Sequence, residues 1–398
     1  MTPLPFARPF IGREEEDAVL RVLRSGWLTT GKEALSFEQE FADFLNRGKT
    51  DGQVQALAVN SATSGLHLVL EALGVGQGDV VLVPPLTFAS TAEVARYLGA
   101  EIAFVDVEPG DFCIAPMRLR QTLCHLRSGK GAYGEYGPRG TPKVVIPVHY
   151  GGMPCAMDEI LDIAHELNVA VLEDAAHCFP SFLPDGRAAG TLGDAGVFSF
   201  YATKTITTGE GGMVVSRNQA LIQRISTMRL HGIDRPAWNR YTDVRGSWYY
   251  EIIEAGYKYN LPDILAALGR VQLSRAFDLL AMRRRLAGIY DAGFSGHPAL
   301  EIPPVNSACA YHLYPLRVKD SATRNRLIDA LQQEGIGVSV HFIPLHTMPY
   351  YRRRYNLSAD FFPAAMDAFS REISLPLWPG MTDEDAARVI AAVTNFAF

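Results

Sequence analysis

Alternation constrains this chain most. Short apolar runs at 54–59, 80–83, 102–105, 144–148 and 169–172 are separated by stretches whose apolar residues return at helical spacing, at 88–98, 117–126 and 157–167. Between the first two runs, Leu66, Val69, Leu70 and Leu73 keep the same helical spacing. Strands that alternate with helices over short connections predict an open, mostly parallel sheet with helices on its faces. In such sheets ligands bind beyond the carboxyl ends of the strands. The chemically distinctive residues fall at those ends: Ala62 and Thr63 after the first run, Thr87 and Phe88 after the second, and Glu173-Asp174-Ala175-Ala176-His177 after the last.

The same pattern continues in Phe198-Ser199-Phe200-Tyr201-Ala202-Thr203-Lys204, an aromatic strand that runs into a hydroxyl-bearing turn and stops on a lysine. Thr207-Thr208-Gly209-Glu210-Gly211-Gly212 then returns the chain to a second apolar strand, Met213-Val214-Val215. An amine at the mouth of an apolar strand is partly desolvated, which disfavours its charged form and suits Schiff-base chemistry with an aldehyde cofactor. Free lysine at a pKa of about 10.4 is neutral in only about one molecule in 2,500 at pH 7, so a base at this position needs that depression. A surface lysine at a strand exit has the same local sequence.

Asp174 needs a cationic or donor partner at its strand end; a protonated pyridine nitrogen would meet that need, as would a salt bridge or a helix cap. His177, one helical turn on, could touch the same ligand or satisfy a core hydrogen bond. In Asn60-Ser61-Ala62-Thr63-Ser64-Gly65, small residues lead a strand into a helix whose free N–H groups and positive dipole end can hold a phosphate. The alternative is that Ser61 or Thr63 caps the helix and nothing more.

The 398 residues suffice for two domains. The expected division is an arm and short helix over 1–30, with a helix at 14–23, a large domain over 31–265, and a smaller α/β domain over 266–398. A helix is expected at 36–45 and another at 219–230. The C-terminal part reads as strands at 311–318 and 338–342 and helices at 322–334 and 383–393. The aromatic, hydroxyl and glycine residues of 25–31 point to a segment crossing a pocket, and the glycine-rich stretch 128–142 reads as a surface loop.

A net charge of −6 argues against nucleic-acid binding. The clusters Arg283-Arg284-Arg285 and Arg352-Arg353-Arg354 read as solvated helix faces. No apolar run approaches the roughly 20 residues of a membrane span, and the N-terminus lacks the basic and apolar regions of a secretory signal, so a cytoplasmic location is expected. Cys113, Cys124, Cys155, Cys178 and Cys309 are odd in number and lack Cys-x-x-Cys spacing, which points to buried free thiols rather than disulfides or a zinc site.

Five motifs in fixed order carry a resemblance: Phe198 to Gly212, Glu173 to His177, Pro84-Pro85-Leu86-Thr87-Phe88-Ala89, Gly256 to Leu261, and Gly335 to His346. In that order they resemble the DegT/DnrJ/StrS family of pyridoxal-phosphate-dependent sugar aminotransferases, over nearly the whole chain. The resemblance implies the fold type I architecture of aspartate aminotransferase, with a mixed, mostly parallel seven-stranded sheet in the large domain and a smaller C-terminal α/β domain. By position it implies Lys204 as the Schiff-base lysine, Asp174 on the pyridinium nitrogen, Phe88 stacked on the cofactor ring, and Ala62, Thr63 and Ser199 on the phosphate. His177 would lie near the ring, and Tyr201 and His341 would line the sugar pocket. The implied assembly is a homodimer with shared active sites. Where many relatives read Gly-Tyr-Asn-Tyr-Arg this chain reads Gly256-Tyr257-Lys258-Tyr259-Asn260, so Lys258 and Asn260 are joint candidates for the contact with the partner's phosphate site. The implied reaction moves an amino group from glutamate to a keto-sugar, nucleotide-linked, in amino-sugar biosynthesis; Lys32, Arg235, Arg240 and Arg245 could meet a diphosphate. A free cyclitol ketone, a sugar dehydratase activity and a non-catalytic regulatory role are the alternatives within the family.

Overall fold

The computed structural model describes residues 2–48, 52–234 and 249–398. Arg235, Arg240 and Arg245 lie outside the described residues. Seven strands form one sheet: β1 (Gln55–Val59), β2 (Asp79–Val83), β3 (Glu101–Phe104), β4 (Thr141–Val145), β5 (Ala170–Asp174), β6 (Ala195–Ser199) and β7 (Gly212–Ser216). Their order is β1-β7-β6-β5-β4-β2-β3. β7 runs antiparallel to both its neighbours, with Gly212 opposite Val59 on one side and Ser199 on the other. The remaining pairs are parallel, which gives the mostly parallel sheet the alternation predicted and, with β7 reversed, the mixed seven-stranded sheet the resemblance implied.

Helices cover both faces, and for that reason Val80, Val81, Leu82 and Val83 of β2 are all buried. Successive side chains on a strand point to opposite faces. In β6, Val197 therefore joins the cluster beneath α3 (Ala62–Ala72) and α6 (Met157–Glu166), while Phe198 joins Phe37 and Phe41 of α2 (Lys32–Leu45) on the other face. α4 (Ala89–Tyr97), α5 (Pro116–Arg127) and α7 (Gln219–Met228) complete the covering layers. A separate apolar cluster gathers Leu286, Tyr290 and Phe294 of the long helix Ala276–Phe294 around a two-stranded antiparallel sheet, Tyr314–Arg317 with Glu372–Leu375. Helices Ser321–Gln333 and Asp383–Thr394 close that cluster. Among the described residues no helix is long and apolar enough to cross a membrane.

Several sequence expectations need correction. α2 begins at Lys32 rather than near residue 36, because Asp263, far along the chain, accepts the N–H groups of Gly31, Glu33 and Ala34 at 2.6, 3.2 and 3.0 Å. Segment 25–31 is held against that same turn, where Thr30 Oγ1 donates to the Leu261 carbonyl at 2.6 Å, and it does not line the central cavity. Stretch 128–142 is a surface loop as expected up to β4, with Ser128, Gly129, Lys130, Glu135, Tyr136, Arg139 and Gly140 exposed, but it is anchored: Ala132 is buried, and the Tyr133 hydroxyl accepts the Phe104 N–H of edge strand β3 at 2.7 Å. Residues 338–342 form no strand beyond a single bridge from Ser339 to Ser374, because the next inward-facing amide, that of His341, donates to the Glu372 carboxylate instead of a ladder carbonyl. Arg283 is buried, not solvated, and its Nη1 donates to the carbonyls of Tyr311, His312 and Leu377. Arg352, Arg353 and Arg354 are exposed. All five cysteines are free thiols, four buried and Cys124 exposed.

Candidate active site

A cavity of about 610 Å³ opens at the carboxyl ends of β5 and β6. Ala62, Thr63, Phe88, Asp174, His177, Ser199, Tyr201, Lys204 and His341 all line it. Lys258 and Asn260 do not; the Lys258 Nζ donates to Asn260 Oδ1 at 2.7 Å, and Asn260 Nδ2 donates to Thr30 Oγ1 at 2.5 Å.

Strand alternation delivers Asp174 to the cavity and sends Glu173 to the opposite face, where it accepts from His149 Nε2 and the amides of Gly190, Leu192 and Gly193. Asp174 is buried. Its Oδ2 accepts from Thr91 Oγ1 at 2.8 Å and its Oδ1 from the Ala176 amide at 3.1 Å, with Thr87 Oγ1 a further 2.7 Å from Thr91 Oγ1. Burial pushes its carboxyl up, and the bonds from Thr91 and Ala176 together with the Lys204 charge only partly offset that. A carboxylate so placed favours a cationic partner inside the cavity.

Lys204 ends the turn that follows β6. Burial pulls its amine down to about 8, opposed by the Asp174 carboxylate and assisted by the Arg283 guanidinium beneath. At that value about one amine in ten is neutral at pH 7, against about one in 2,500 for a free lysine. His177 accepts the Gly151 amide on Nδ1 at 3.3 Å, which leaves Nε2 to carry the proton of the neutral ring. Burial, then the charges of Lys204 and His341, hold it well below the usual imidazole range.

The opposite wall is the N-terminus of α3. Ser61 Oγ accepts the Ser64 amide and Ser64 Oγ accepts the Ser61 amide, a reciprocal cap. Capping is thus real, and it leaves the amides of Ala62 and Thr63 without intrahelical acceptors at the cavity wall. The glycine hairpin makes room for that wall: a Cβ on Gly212 would stand 2.7 Å from the Ala62 nitrogen. Phe88 is 64% exposed, a large ring left open at the cavity.

Sequence reasoning missed five contributors. Phe6 of the N-terminal arm lines the cavity and stacks on His341 with ring centroids 5.4 Å apart. His312 lines it with its ring 4.2 Å from that of His177 and its buried Nδ1 unpartnered. Thr91 holds Asp174, and Glu372 with Ser374 holds His341. A local signal existed only for Glu372, a lone carboxylate in the apolar strand Glu-Ile-Ser-Leu.

A doubly covered α/β sheet with a depressed lysine, a buried carboxylate and an anion-ready helix N-terminus at its strand ends defines an enzyme that works through amine chemistry on a phosphorylated cofactor. The chain belongs to the DegT/DnrJ/EryC1/StrS aminotransferase family, which residues 9–394 match. It is 43% identical to the spore coat polysaccharide biosynthesis protein SpsC of Bacillus subtilis, over 98% of this chain and 96% of that protein. Among solved structures it superposes on Spr1654 from Streptococcus pneumoniae in its PMP form with a TM-score of 0.87, 29% identity and 98% of each chain covered. Helicobacter pylori PseC, an aminotransferase of pseudoaminic acid biosynthesis, gives a TM-score of 0.85 with 26% identity and 98% of each chain covered.

Proposed function

We propose that this chain, a sugar aminotransferase that works with pyridoxal phosphate, takes its amino group from glutamate and delivers it to a nucleotide-linked keto-sugar. The observation that carries the reading is the pairing of Lys204 and Asp174 at one end of the cavity with the amides of Ala62 and Thr63 at the other. The relatives support it: SpsC belongs to polysaccharide biosynthesis, PseC is an aminotransferase of pseudoaminic acid biosynthesis, and Spr1654 has been solved in PMP and PLP forms.

The residues present fit the cofactor. Space beside the start of α3 depends on glycine at 212, the donor set there is two unpaired amides with the Ser199 hydroxyl, and Asp174 is a buried carboxylate that favours a cation. Pyridoxal phosphate, when bound, supplies an electron-accepting ring that carries the amino group between the two substrates. Lys204 Nζ would hold it covalently and, once displaced by the donor's amine, would move a proton at the reacting carbon. Asp174 would keep the ring nitrogen protonated, Phe88 would cover one ring face, and His177 Nε2–H would donate toward the ring's phenolic oxygen. Tyr201 and His341 would border the sugar.

Lys258 and Asn260 stand off their own cavity, as residues offered to a partner's phosphate site would. With Ile252 and Ile253 exposed at 67% and 57% nearby, we assign this surface to a homodimer contact.

The test is an absorbance spectrum of the holoenzyme before and after glutamate, beside Lys204→Ala. The expected result is a visible band that moves to the near-ultraviolet in the wild type only, with turnover of the variant lowered at least about 10²–10⁴-fold, the usual contribution of a positioned base. A panel of nucleotide-linked keto-sugars and free cyclitol ketones then identifies the acceptor. Normal transamination by Lys204→Ala would overturn the assignment.

A further inference from the structure

Behind the cavity wall lies a hydrogen-bonded chain that ends on His341. Glu372 is fully buried, and one of its oxygens, Oε2, accepts the His341 backbone amide at 2.9 Å. The other, Oε1, forms a short hydrogen bond with Ser374 Oγ, which in turn lies 2.9 Å from His341 Nδ1. His341 lines the cavity, so with Nδ1 engaged, Nε2 is the ring nitrogen left for a ligand.

A hydroxyl between two partners can donate to only one of them. If the carboxyl carries a proton, Glu372 donates to Ser374, Ser374 donates to Nδ1, and Nε2 carries the ring proton. If the carboxylate is ionised, every bond reverses, Nδ1 carries the proton and Nε2 is a bare acceptor. We propose that Glu372 and Ser374 are positioning residues that set His341 to present Nε2–H to an oxygen of the bound sugar, and that ionisation of Glu372 reverses this polarity.

The surroundings favour the donor form at neutral pH. Burial pushes the Glu372 carboxyl up to about 8, with the Ser374 bond, the His341 amide and the Arg324 charge pulling the other way. Arg324 donates to the backbone carbonyls of Phe369 and Glu372 and forms no ion pair with the Glu372 carboxylate. Tyr150, whose hydroxyl donates to the His341 carbonyl, faces the same carboxyl and is itself held neutral by burial. His341 is kept down to about 4 by burial and the Lys204 charge, and His177 and His312 beside it are likewise held neutral. Through the neutral range His341 therefore changes its tautomer, not its charge.

That the contact is made to a sugar rests on the aminotransferase reading; the tautomer does not. In holoenzyme labelled with ¹⁵N-histidine, the His341 ring signals, assigned by their loss in His341→Gln, are followed as pH rises through about 8. The expected wild-type result is Nε2–H below that value and Nδ1–H above it. Glu372→Gln, whose amide can donate to Ser374 as the protonated acid does, should keep Nε2–H throughout, and Ser374→Ala should lose the response. With the keto-sugar accepted in the panel, Ser374→Ala should raise KM about three- to tenfold with kcat little changed, the pattern of a lost ground-state contact, and Ser374→Thr should restore it. Nδ1–H at neutral pH, an unaltered response in Glu372→Gln, or an unchanged KM in Ser374→Ala would each overturn the proposal. Holoenzyme that ignores glutamate would sink the aminotransferase reading and leave the tautomer result standing, so the two failures are distinguishable.

Discussion

At the scale of single residues the site is a balance between burial and compensation. Lys204 is depressed because it is buried, and Asp174 limits the depression; with a bound cation, Asp174 in turn stays ionised. Lys204 of the apoprotein should therefore react with an amine reagent such as trinitrobenzenesulfonate along a curve centred near pH 8, whereas an undisturbed midpoint near that of free lysine would contradict the burial. Thr91→Val keeps the shape but removes a donor from a buried carboxylate. It should cost about 1.5–3 kcal/mol of the Asp174 contact and weaken cofactor binding about tenfold or more, measured by cofactor titration. Glu372 supplies a pH test of stability. Its folded-state pKa is raised, so its contribution is fully present below the unfolded value of about 4.5 and is lost as pH rises through about 8. Glu372→Gln should flatten the fall in thermal midpoint across that window.

At the scale of elements, the antiparallel hairpin of β6 and β7 and the capped start of α3 make the anion wall together. Gly212 has Val59 and Ser199 as cross-strand neighbours, and an added Cβ would also stand 2.8 Å from the Ser61 carbonyl carbon. Gly212→Ala should destabilise by about 1–3 kcal/mol in denaturant titration and weaken cofactor binding as the wall shifts. α2 has a cap supplied by tertiary structure. Asp263→Ala should cost about 1–2 kcal/mol and loosen Lys32 to Phe37 first, read by hydrogen exchange of the Ala34 amide. Both elements were visible from periodicity, yet the true start of α2 was not, because its acceptor lies 229 positions from the Ala34 amide it receives.

At the scale of the whole molecule, the cavity is completed by segments that are remote from one another in the chain. The arm reaches it by pairing with the C-terminal part: the Leu4 amide donates to the Gly335 carbonyl, the Gly337 amide to the Leu4 carbonyl, both at 2.8 Å, and Trp378 Nε1 to the Pro5 carbonyl at 3.1 Å. Deleting residues 2–7 should raise the KM for the sugar and lower the thermal midpoint, since it exposes Trp378 and uncovers His341. What the sequence by itself determined was periodicity and its ends: a parallel sheet flanked by helices, with Lys204, Asp174, Ala62 and Thr63 at strand exits, all features set by neighbours a few residues apart. Tertiary structure alone decided the partners. Thr91 meets Asp174 across 83 positions and Glu372 meets His341 across 31, Arg283 leaves a basic cluster to bind three carbonyls, and Phe6 covers a histidine. A buried polar group must find its hydrogen-bond partner wherever folding brings one within about 3 Å, and local sequence carries no record of that distance.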